Sequence, residues 1–585
     1  MPQKFTLLNN TKGNLTGLTI IFLGIIFLSF PFFANADELN QKADFFIDSS
    51  YDLEGQSQIT ATLFRVTPQA YFYFDDSWWN SLEPGSQNKI RTALQPLYEE
   101  FEYRIYPILT NTLGLEWKPG IDNDNRITIL IHPMIEEAGG YFNNGDEYLR
   151  LQNPRSNERE MVYLNADYID SSLAKGFLAH EFMHLITFNQ KERIQGVQEE
   201  VWLNEARSEY APTLLGYDDV YEGSNLQRRI QNFINNPSDS LTEWKNRPTD
   251  YGVINLFTQY LVDHYGVEVL ADSLKSKEVG IKSLNYALEK NDFEEDFSQI
   301  FTNWTIAILV NDCSLGERYC YLNKNLRNFQ VNPLANFLPL TGESTLSVTR
   351  TTKDWAGNWF KFIGGQEDLK VEFIGNPKAV FRIPYVTQNI SDSYSVDFFE
   401  LDESQKGEIL ISDFRTKIVS LTIIPSVQSK VSNFSDNEPA FTFFWSASTI
   451  TEEVKPAPEK PISEMTKEEI LAKIAEIKAL ITQLQAQLQE LLLKEISCQK
   501  FEENLFYGLK NDSRVECLQQ FLEVQDPEIY PEGLITGNFL SLTRQAVIRF
   551  QEKYASEILS PVGLEQGTGF VGEKTRMKIN QLLGY

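Results

Sequence analysis

Two histidines separated by three residues constrain this chain more than any other feature. They stand in the stretch FLAHEFMHLITFNQ, which contains His180, Glu181 and His184. An α-helix places residues four apart on one face, about 6 Å apart along its axis, so both imidazoles can reach one metal ion. The chain has only four histidines, and chance would produce such a pattern at a level of roughly 0.002 per chain. We therefore predict an apolar, buried helix with two metal ligands, rather than two hydrogen-bonded core histidines.

A third ligand is expected downstream, because a catalytic zinc usually has three protein ligands and one open position. The stretch VWLNEARSEYA begins a second predicted helix after Gly196, and Glu205 within it is the best candidate. Glu209 follows one helical turn later, where it could hold a ligand histidine by its second ring nitrogen. The sequence also allows exchanged roles for the two glutamates, or a solvated acidic face for Glu209. Glu181, beside the first histidine, is placed to take a proton from a metal-bound water.

These residues carry a family resemblance. HEFMH followed by WLNEARSEYA resembles the glutamate zincins, which include thermolysin and the aminopeptidase N group. It is more similar to the hyicolysin-like secreted metallopeptidases, in which a HEFxH helix precedes LNEgxSEY. The resemblance spans roughly residues 59–266 and implies a two-lobed, thermolysin-like α+β zincin domain. It implies zinc bound by His180, His184 and Glu205, with Glu181 as the base. The chain has NEARSE where a glycine often follows the glutamate, which is a sterically mild departure.

The resemblance also implies an oxyanion-stabilising residue and a substrate-binding strand. Tyr251, in TDYGVINLFTQYL, resembles the tyrosine that precedes a packed helix in related enzymes, and Tyr210 is the alternative. The segment EEAGGYFNNGDEY follows a predicted buried strand, Arg126 to Pro133. An edge strand there would pair with an extended substrate, and Gly139 and Gly140 would permit close approach. An ordinary glycine turn is the alternative.

The N-terminal residues 1–36 are predicted to be a secretory signal peptide. Two lysines precede an apolar run over residues 18–33, and Ala34-Asn35-Ala36 resembles a cleavage site. An uncleaved membrane anchor is the alternative. Either interpretation places the remainder outside the cytoplasm. That compartment makes disulfides Cys313–Cys320 and Cys498–Cys517 plausible. The net charge of −29 argues against a nucleic-acid partner.

Four further segments are predicted. Residues 37–340 form the metallopeptidase domain, and short alternating runs over residues 341–450 predict an all-β sandwich. Residues 451–496 contain a proline-rich linker and then a heptad seam, for either a coiled-coil homodimer or a stiff stalk. The seam consists of Ile470, Ile474, Ile477, Ile481, Leu484, Leu488 and Leu491.

Residues 497–585 contain a short internal sequence repeat, which we call the echo. Thr536-Gly537 precedes Thr543-Arg544 by seven residues, and Thr568-Gly569 precedes Thr575-Arg576 by the same spacing. The stretches NLFYGLKNDSRVECLQQFL, ITGNFLSLTRQAVIRFQ and GTGFVGEKTR resemble the peptidoglycan-binding domain of cell-wall hydrolases. This resemblance implies a small all-α domain that binds the bacterial cell wall.

The expected function is a secreted, wall-associated zinc metalloendopeptidase that acts on protein or peptide substrates. An aminopeptidase is a variant, although no acidic anchor motif for a substrate amino terminus precedes HEFMH. Cleavage of peptidoglycan peptides is another variant, suggested by the C-terminal resemblance. The competing class is a non-enzymatic surface or adhesion protein on a zincin scaffold. The intact HEFMH with Glu205 argues against it, because a binding scaffold does not need the base.

Overall fold

A computed structural model describes residues 36–136, 138–365, 367–450, 466, 474, 478, 498–525 and 528–585. Residues 1–35 of the predicted signal peptide lie outside the described residues. So do the linker and the heptad seam over residues 451–496, except at three isolated positions. The chain divides into two compact units, Met1–Glu452 and Glu453–Tyr585. No helix among the described residues is long and apolar enough to cross a membrane.

A six-stranded mixed sheet forms the N-terminal part of the first unit. Its strands run in the spatial order β1-β2-β3-β4-β6-β5. The central strands β3, β4 and β6 are parallel, and the other pairs are antiparallel. The predicted strand after the DNDN turn is β4, in which all six residues are buried. The strands are β1 (Lys42–Phe46), β2 (Gln58–Val66), β3 (Ala70–Asp75), β4 (Ile127–His132), β5 (Gly140–Phe142) and β6 (Met161–Asn165).

Ten α-helices accompany this sheet in the described part of the first unit. A π-helical segment, Phe101–Ile105, joins α2 to α3, and another, Phe188–Gln195, continues α4. Helix α7, which contains Tyr251, ends before Gly266, and Gly266 has a φ of 81°. The helices are α1 (Asp76–Ser81), α2 (Pro84–Glu100), α3 (Tyr106–Leu113), α4 (Ala174–Thr187), α5 (Val201–Leu214), α6 (Asn225–Asn235), α7 (Pro248–Tyr265), α8 (Val267–Leu274), α9 (Gly280–Lys290) and α10 (Phe297–Val310). This is a mixed α and β domain, and its two-lobed, thermolysin-like character stays a prediction.

Two glycines of the edge strand region allow the sheet to approach α4 closely. A Cβ atom at Gly139 would lie 2.5 Å from the ring of Phe177. A Cβ atom at Gly140 would lie 2.6 Å from the carbonyl oxygen of Tyr163 and 2.9 Å from Cγ of Glu181. The obstacle at Gly140 is backbone, so glycine is required there, whereas a side chain at Gly139 would have to displace the ring of Phe177. The strand β5 therefore lies directly against the helix that carries HEFMH.

A third glycine brings α6 against α7. A Cβ atom at Gly252 would lie 2.4 Å from the backbone nitrogen of Phe233. The apolar side of α6 is buried through Leu226, Ile230 and Phe233. This packing fixes the polar side of α6 relative to α5, which also packs on α7.

A β-sandwich completes the first unit. One sheet has the order β14-β10-β17-β8, and the other has the order β13-β12-β15-β9-β7. Their shared core includes Phe362, Phe443 and Trp445. The sandwich begins before position 341, because β7 pairs with β9 in parallel. The strands are β7 (Leu334–Leu338), β8 (Thr345–Thr352), β9 (Phe360–Gly364), β10 (Asp368–Gly375), β11 (Phe381–Arg382), β12 (Pro384–Asn389), β13 (Tyr394–Phe398), β14 (Lys406–Ile411), β15 (Ile418–Ile423), β16 (Ser426–Val427) and β17 (Phe441–Ile450).

The sandwich packs on α10 through tryptophans. The ring of Trp355 lies 4.8 Å from that of Phe297 and 5.4 Å from that of Phe301, measured between centroids. Nε1 of Trp359 donates a hydrogen bond to the carbonyl oxygen of Thr305 at 2.9 Å. Trp355, Trp359, Val386 and Ile424 of the sandwich thus belong to the core of the helical region, while the two sheets keep a separate core between them.

The second unit is a small helical domain whose internal echo has a structural cause. Each TG pair is bound by a buried glutamine of the preceding long helix. The side-chain oxygen of Gln519 accepts from the backbone nitrogens of Thr536 and Gly537, and its Nε2 donates to Oγ1 of Thr543. Gln551 makes the same three contacts with Thr568, Gly569 and Thr575. The hydroxyls of Thr543 and Thr575 therefore each accept a hydrogen bond from a buried glutamine. The helices are α11 (Ser513–Gln525), α12 (Ser541–Lys553), α13 (Ala555–Ile558) and α14 (Glu573–Leu582).

Both predicted disulfides are present. Cys313–Cys320 closes a loop after α10, and Cys498–Cys517 ties the start of the second unit to α11. Their Cα atoms are 5.0 and 5.7 Å apart, within the range that a disulfide spans.

Two buried carboxyls near the edge strand should make stability depend on pH. Glu147 and Glu160 are each 2% exposed. Burial, followed by the charge of Glu160, raises the pKa of Glu147 well above its ordinary value, and burial raises that of Glu160 to about 8. Protonated carboxyls are therefore favoured in the folded state. The contribution of these protonated carboxyls to the free energy of unfolding is fully present below the pKa of the unfolded chain, near 4.5. It is lost as the pH rises through the pKa of the folded protein, about 8 for Glu160.

We expect Glu147→Gln to raise the free energy of unfolding at pH 8 by on the order of 1 kcal/mol and to change it little at pH 4. Urea unfolding at both pH values measures this difference. Glu289→Gln, at an exposed position, is the matched control and should shift neither value. Parallel pH profiles for wild type and Glu147→Gln would contradict the assignment.

Candidate metal centre

The two histidines of α4 meet on one face of that helix. Their ring centroids are 4.9 Å apart, and Nε2 of His180 lies 3.2 Å from Nε2 of His184. Ten of the fourteen residues of α4 are buried, which explains its apolar sequence. The helix therefore holds both imidazoles in the interior with their Nε2 atoms together.

Glu205 of α5 completes a three-residue cluster. Its Oε2 lies 3.3 Å from Nε2 of His180, and its Oε1 lies 3.7 Å from Nε2 of His184. One ligand atom from each residue lies within 4.8 Å of the others. Oε2 of Glu205 is buried and has no hydrogen-bond partner among the described residues. Two imidazole nitrogens and one carboxylate oxygen form a donor set that fits a catalytic zinc.

The second ring nitrogens are held by other residues of α5. Oε1 of Glu209 lies 3.3 Å from Nδ1 of His180. Nδ1 of His184 lies 3.1 Å from Oδ1 of Asn204 and 3.2 Å from Oγ of Ser208. These contacts orient the imidazoles so that Nε2 is available to a metal, which is the usual arrangement around ligand histidines.

An arginine separates the roles of the two glutamates. Arg229 of α6 donates to Oε2 of Glu209 from Nε at 2.7 Å and to Oε1 from Nη2. Asn225 adds a hydrogen bond to Oε2 at 3.0 Å. The carboxylate of Glu209 is thus occupied by Arg229 and Asn225. The carboxylate of Glu205 instead lies near the Nε2 atoms of the two histidines. This geometry favours Glu205 as ligand and Glu209 as the residue behind His180, and it does not fit a solvated acidic face.

The electrostatics of the cluster reflect three glutamates, of which Glu181 and Glu209 are buried and Glu205 is half-buried, near two imidazoles. Burial raises the pKa of Glu181 to about 8, with further upward contributions from the charges of Glu205 and Glu209. Burial alone would raise the pKa of Glu209, but Arg229 and His180 hold it well below its ordinary value. Burial opposes protonation of His180, but the contacts with Glu205 and Glu209 raise its pKa to about 10. Negative charge gathered in this way is stable only with nearby cations.

Glu181 faces a cavity of about 470 Å³. The cavity lies between the edge strand region, α4, α6 and α7, and both Glu181 and His180 line it. A second cavity, of about 140 Å³, reaches His184 and Phe142. The cluster therefore borders a cavity on the side that carries the expected base.

Two tyrosines line the larger cavity. Tyr251 donates a hydrogen bond to Oδ1 of Asn246 at 2.9 Å, and its ring lies 4.3 Å from the guanidinium carbon of Arg229. Tyr51 lies in the loop after β1; burial and then the charges of Glu181 and Glu205 raise its pKa. Tyr210 does not line the cavity, and its charged neighbours are aspartates of other elements. In the described lining of this cavity, Tyr251 and Tyr51 are thus the phenols available to a ligand of the cluster.

Sequence reasoning missed Tyr51 and the arginines of α6. Tyr51 precedes HEFMH by about 130 residues, and no local pattern marks it. The stretch SNLQRRIQNFIN has apolar residues at helical spacing, so its polar side reads as an ordinary solvent-facing surface. The adjacent arginines were the available signal, but their direction depends on the packing of α6 on α7.

No family model matches this chain, and no curated protein matches it. One similar solved structure is described as a novel family GH115 4-O-methyl-α-glucuronidase, BtGH115A, with specificity for decorated arabinogalactans. It is 10% identical, with a TM-score of 0.12, over 57% of this chain and 53% of that one. The chain thus spans about half the length of that enzyme. A likeness at this level carries no argument about fold or function.

We expect the purified protein to bind one zinc ion, and Glu205→Gln to abolish tight binding. Glu209→Gln should weaken zinc binding about 10- to 100-fold, because it loosens His180 without removing a ligand. Competition with a chromogenic chelator measures both affinities.

His264→Gln is the control for loss of a histidine, since His264 contacts the carbonyl oxygen of Cys320 and lies outside the cluster. Equal zinc affinity in wild type and Glu205→Gln would rule out this ligand set.

Proposed function

We propose that this chain is a zinc-dependent metalloendopeptidase. The observation that carries the proposal is the convergence of His180, His184 and Glu205, with Glu181 beside them at an open cavity. This arrangement agrees with the resemblance of HEFMH and WLNEARSEYA to the glutamate zincins.

The residues have distinct tasks in peptide hydrolysis. A zinc ion bound to the cluster would supply Lewis acidity and lower the pKa of water toward about 7. A cation held by the cluster would favour the ionised form of Glu181, whose carboxylate would accept a proton from the attacking water and deliver it to the leaving amine. Tyr251 or Tyr51 would donate a hydrogen bond to the oxygen that gains charge on the substrate carbonyl. Glu209 holds Nδ1 of His180, so that Nε2 of this residue would be available to the metal.

The strand β5 is the candidate binding site for the substrate backbone. It pairs only with β6 among the described strands, so its other edge is available to an extended peptide. Gly139 and Gly140 bring this edge against α4 and into the lining of the larger cavity. An extended substrate on this edge would pass beside Glu181.

The charges of the cavity favour an endopeptidase over an aminopeptidase. An aminopeptidase needs a free carboxylate to bind the substrate amino terminus. The acidic residues in the described lining are Glu181 and Glu209, and both already have roles in the cluster. The remaining charged residues of this lining are Arg228 and Arg229. Arg229 is paired with Glu209, so Arg228 is the charge of this described lining that lies outside the cluster, and a cation does not suit a protonated amine.

Secretion and attachment to the bacterial cell wall complete the proposal. The signal-peptide pattern, the two disulfides and the C-terminal resemblance support it. Hydrolysis of peptidoglycan peptides is the alternative substrate class, and it rests on the C-terminal unit alone. The heptad seam is proposed to dimerise the chain or to act as a stalk. A non-enzymatic surface protein is the competing class, and the retention of Glu181 at an open cavity weighs against it.

We expect the protein to cleave casein or an unstructured peptide library and to lose this activity with a zinc chelator. Glu181→Gln should lower kcat roughly 10²–10⁴-fold while zinc binding is retained, because only proton transfer is removed. Cleavage is measured by mass spectrometry, which also identifies internal and terminal cut sites. Zinc binding at one equivalent with unchanged activity in Glu181→Gln would sink the mechanism.

We also expect the full chain to sediment with insoluble peptidoglycan. A chain that ends at Glu452, the last residue of the first unit, should stay in the supernatant. Cosedimentation quantified by gel densitometry measures both. Equal sedimentation of the two proteins would remove the wall-binding role from the C-terminal unit.

A further inference from the structure

Helix α6 directs a polar stripe into the larger cavity. Asn225, Arg228, Arg229 and Asn232 have the spacing i, i+3, i+4 and i+7, which places them on one helix face. All four line the cavity. The opposite side of the helix is buried in the core. The stripe is therefore part of the substrate cavity rather than a surface facing only bulk solvent.

The two arginines of this stripe differ in their partners. Arg229 is neutralised by Glu209 in a bidentate pair. In the described parts of the chain, no carboxylate forms an ion pair with Arg228. Its Nη2 donates to Oδ1 of Asn225 at 2.7 Å, and its Nε is buried with no acceptor.

The environment of Arg228 makes an unpaired cation unfavourable. Burial, followed by the neighbouring charge of Arg229, lowers the pKa of Arg228 to about 10. The side chain therefore stays protonated at neutral pH, within a largely desolvated site. Arg228 is half-buried, so a cation there without a charged partner is unfavourable, and a bound anion would lower that cost.

The walls beside Arg228 define the shape of the anion. Its guanidinium carbon lies 5.3 Å from the ring centroid of Phe177. Leu173 and Pro212 add apolar surface to the same cavity, and Asn232 adds an amide. An aliphatic stem that ends in a planar carboxylate fits this combination, because guanidinium binds carboxylate through two parallel hydrogen bonds.

We propose that Arg228 selects substrates by binding a carboxylate of the peptide, either an Asp or Glu side chain or a C-terminal carboxylate. This inference rests on the proposed peptidase function. Arg228 is a specificity residue and takes no part in bond cleavage. It explains why the cavity keeps a second arginine beside the one that Glu209 occupies.

The first experiment compares peptides that differ by one group. One internal residue near the cut site is Glu, Gln or Lys, and each peptide carries either a C-terminal acid or an amide. We expect wild type to cleave one acidic form with kcat/KM about 10- to 100-fold above its neutral counterpart. The internal series and the terminal series distinguish the two sources of the carboxylate.

Substitution of Arg228 should remove this preference. Arg228→Gln should bring the acid-to-amide ratio close to one, mainly through a higher KM, and Arg228→Lys should retain part of it. Arg228→Glu should turn the preference towards the Lys peptide. Arg155→Gln, at an exposed position away from the cavity, removes the same charge and should keep the wild-type ratio.

The second experiment measures binding without turnover. Zinc-loaded Glu181→Gln protein is titrated with the acidic and neutral peptides by calorimetry, with and without Arg228→Lys. The inference is supported if the acidic peptide binds more tightly than the neutral one and if Arg228→Lys weakens this binding. If that result is obtained but wild type cleaves no peptide, only the proposed function fails. Cleavage of all peptides with equal kcat/KM and equal affinity overturns the inference and leaves the peptidase intact. Equal affinity without any cleavage overturns both.

Discussion

The contact between Glu209 and Arg229 is the interaction on which the rest of the site depends. It joins α5 to α6, and through His180 it joins both to α4. Glu209 is 1% exposed, so its charge would be unfavourable without the bidentate guanidinium. The pair fixes the imidazole ring of His180, and that ring then presents Nε2 to His184 and Glu205. Loss of this pair would leave the buried charge of Glu209 without its guanidinium and would weaken the hold of Glu209 on the ring of His180.

Close backbone packing supplies the precision that the ion pair needs. Gly252 permits α6 to touch α7, and this contact sets the height at which Arg229 meets Glu209. Gly140 permits the edge strand to touch α4 at Glu181, so the backbone edge and the base share one cavity. In both places the absence of a side chain brings chemical groups together. The glycines therefore contribute to the site although they carry no functional group.

The parts of the site that could be predicted from the sequence are those with local geometry. His180 and His184 are one helical turn apart, and Glu205 and Glu209 are related in the same way. Each disulfide links cysteines that are near in sequence, 7 and 19 residues apart. The echo at Thr536 and Thr568 was visible as a repeated spacing, but its cause was not. The cause is a buried glutamine in each preceding helix, which accepts hydrogen bonds from the backbone of the repeated TG pair. A glutamine within a helical sequence does not reveal such a contact.

The remaining parts depended on contacts between distant segments. Tyr51 reaches the cavity from the first strand region, and Asn246 meets Tyr251 from the loop before α7. Helical periodicity could place Arg228 and Arg229 on the polar side of α6, but it could not show what that side faces. The two arginines are neighbours of the same type with different surroundings. Arg229 forms an ion pair with Glu209 within the fold. Arg228 donates a hydrogen bond to Asn225 and is the arginine that we propose to bind a substrate carboxylate. A sequence records only the pair, and the distinction between a structural and a substrate-binding arginine arises from the packing of α6.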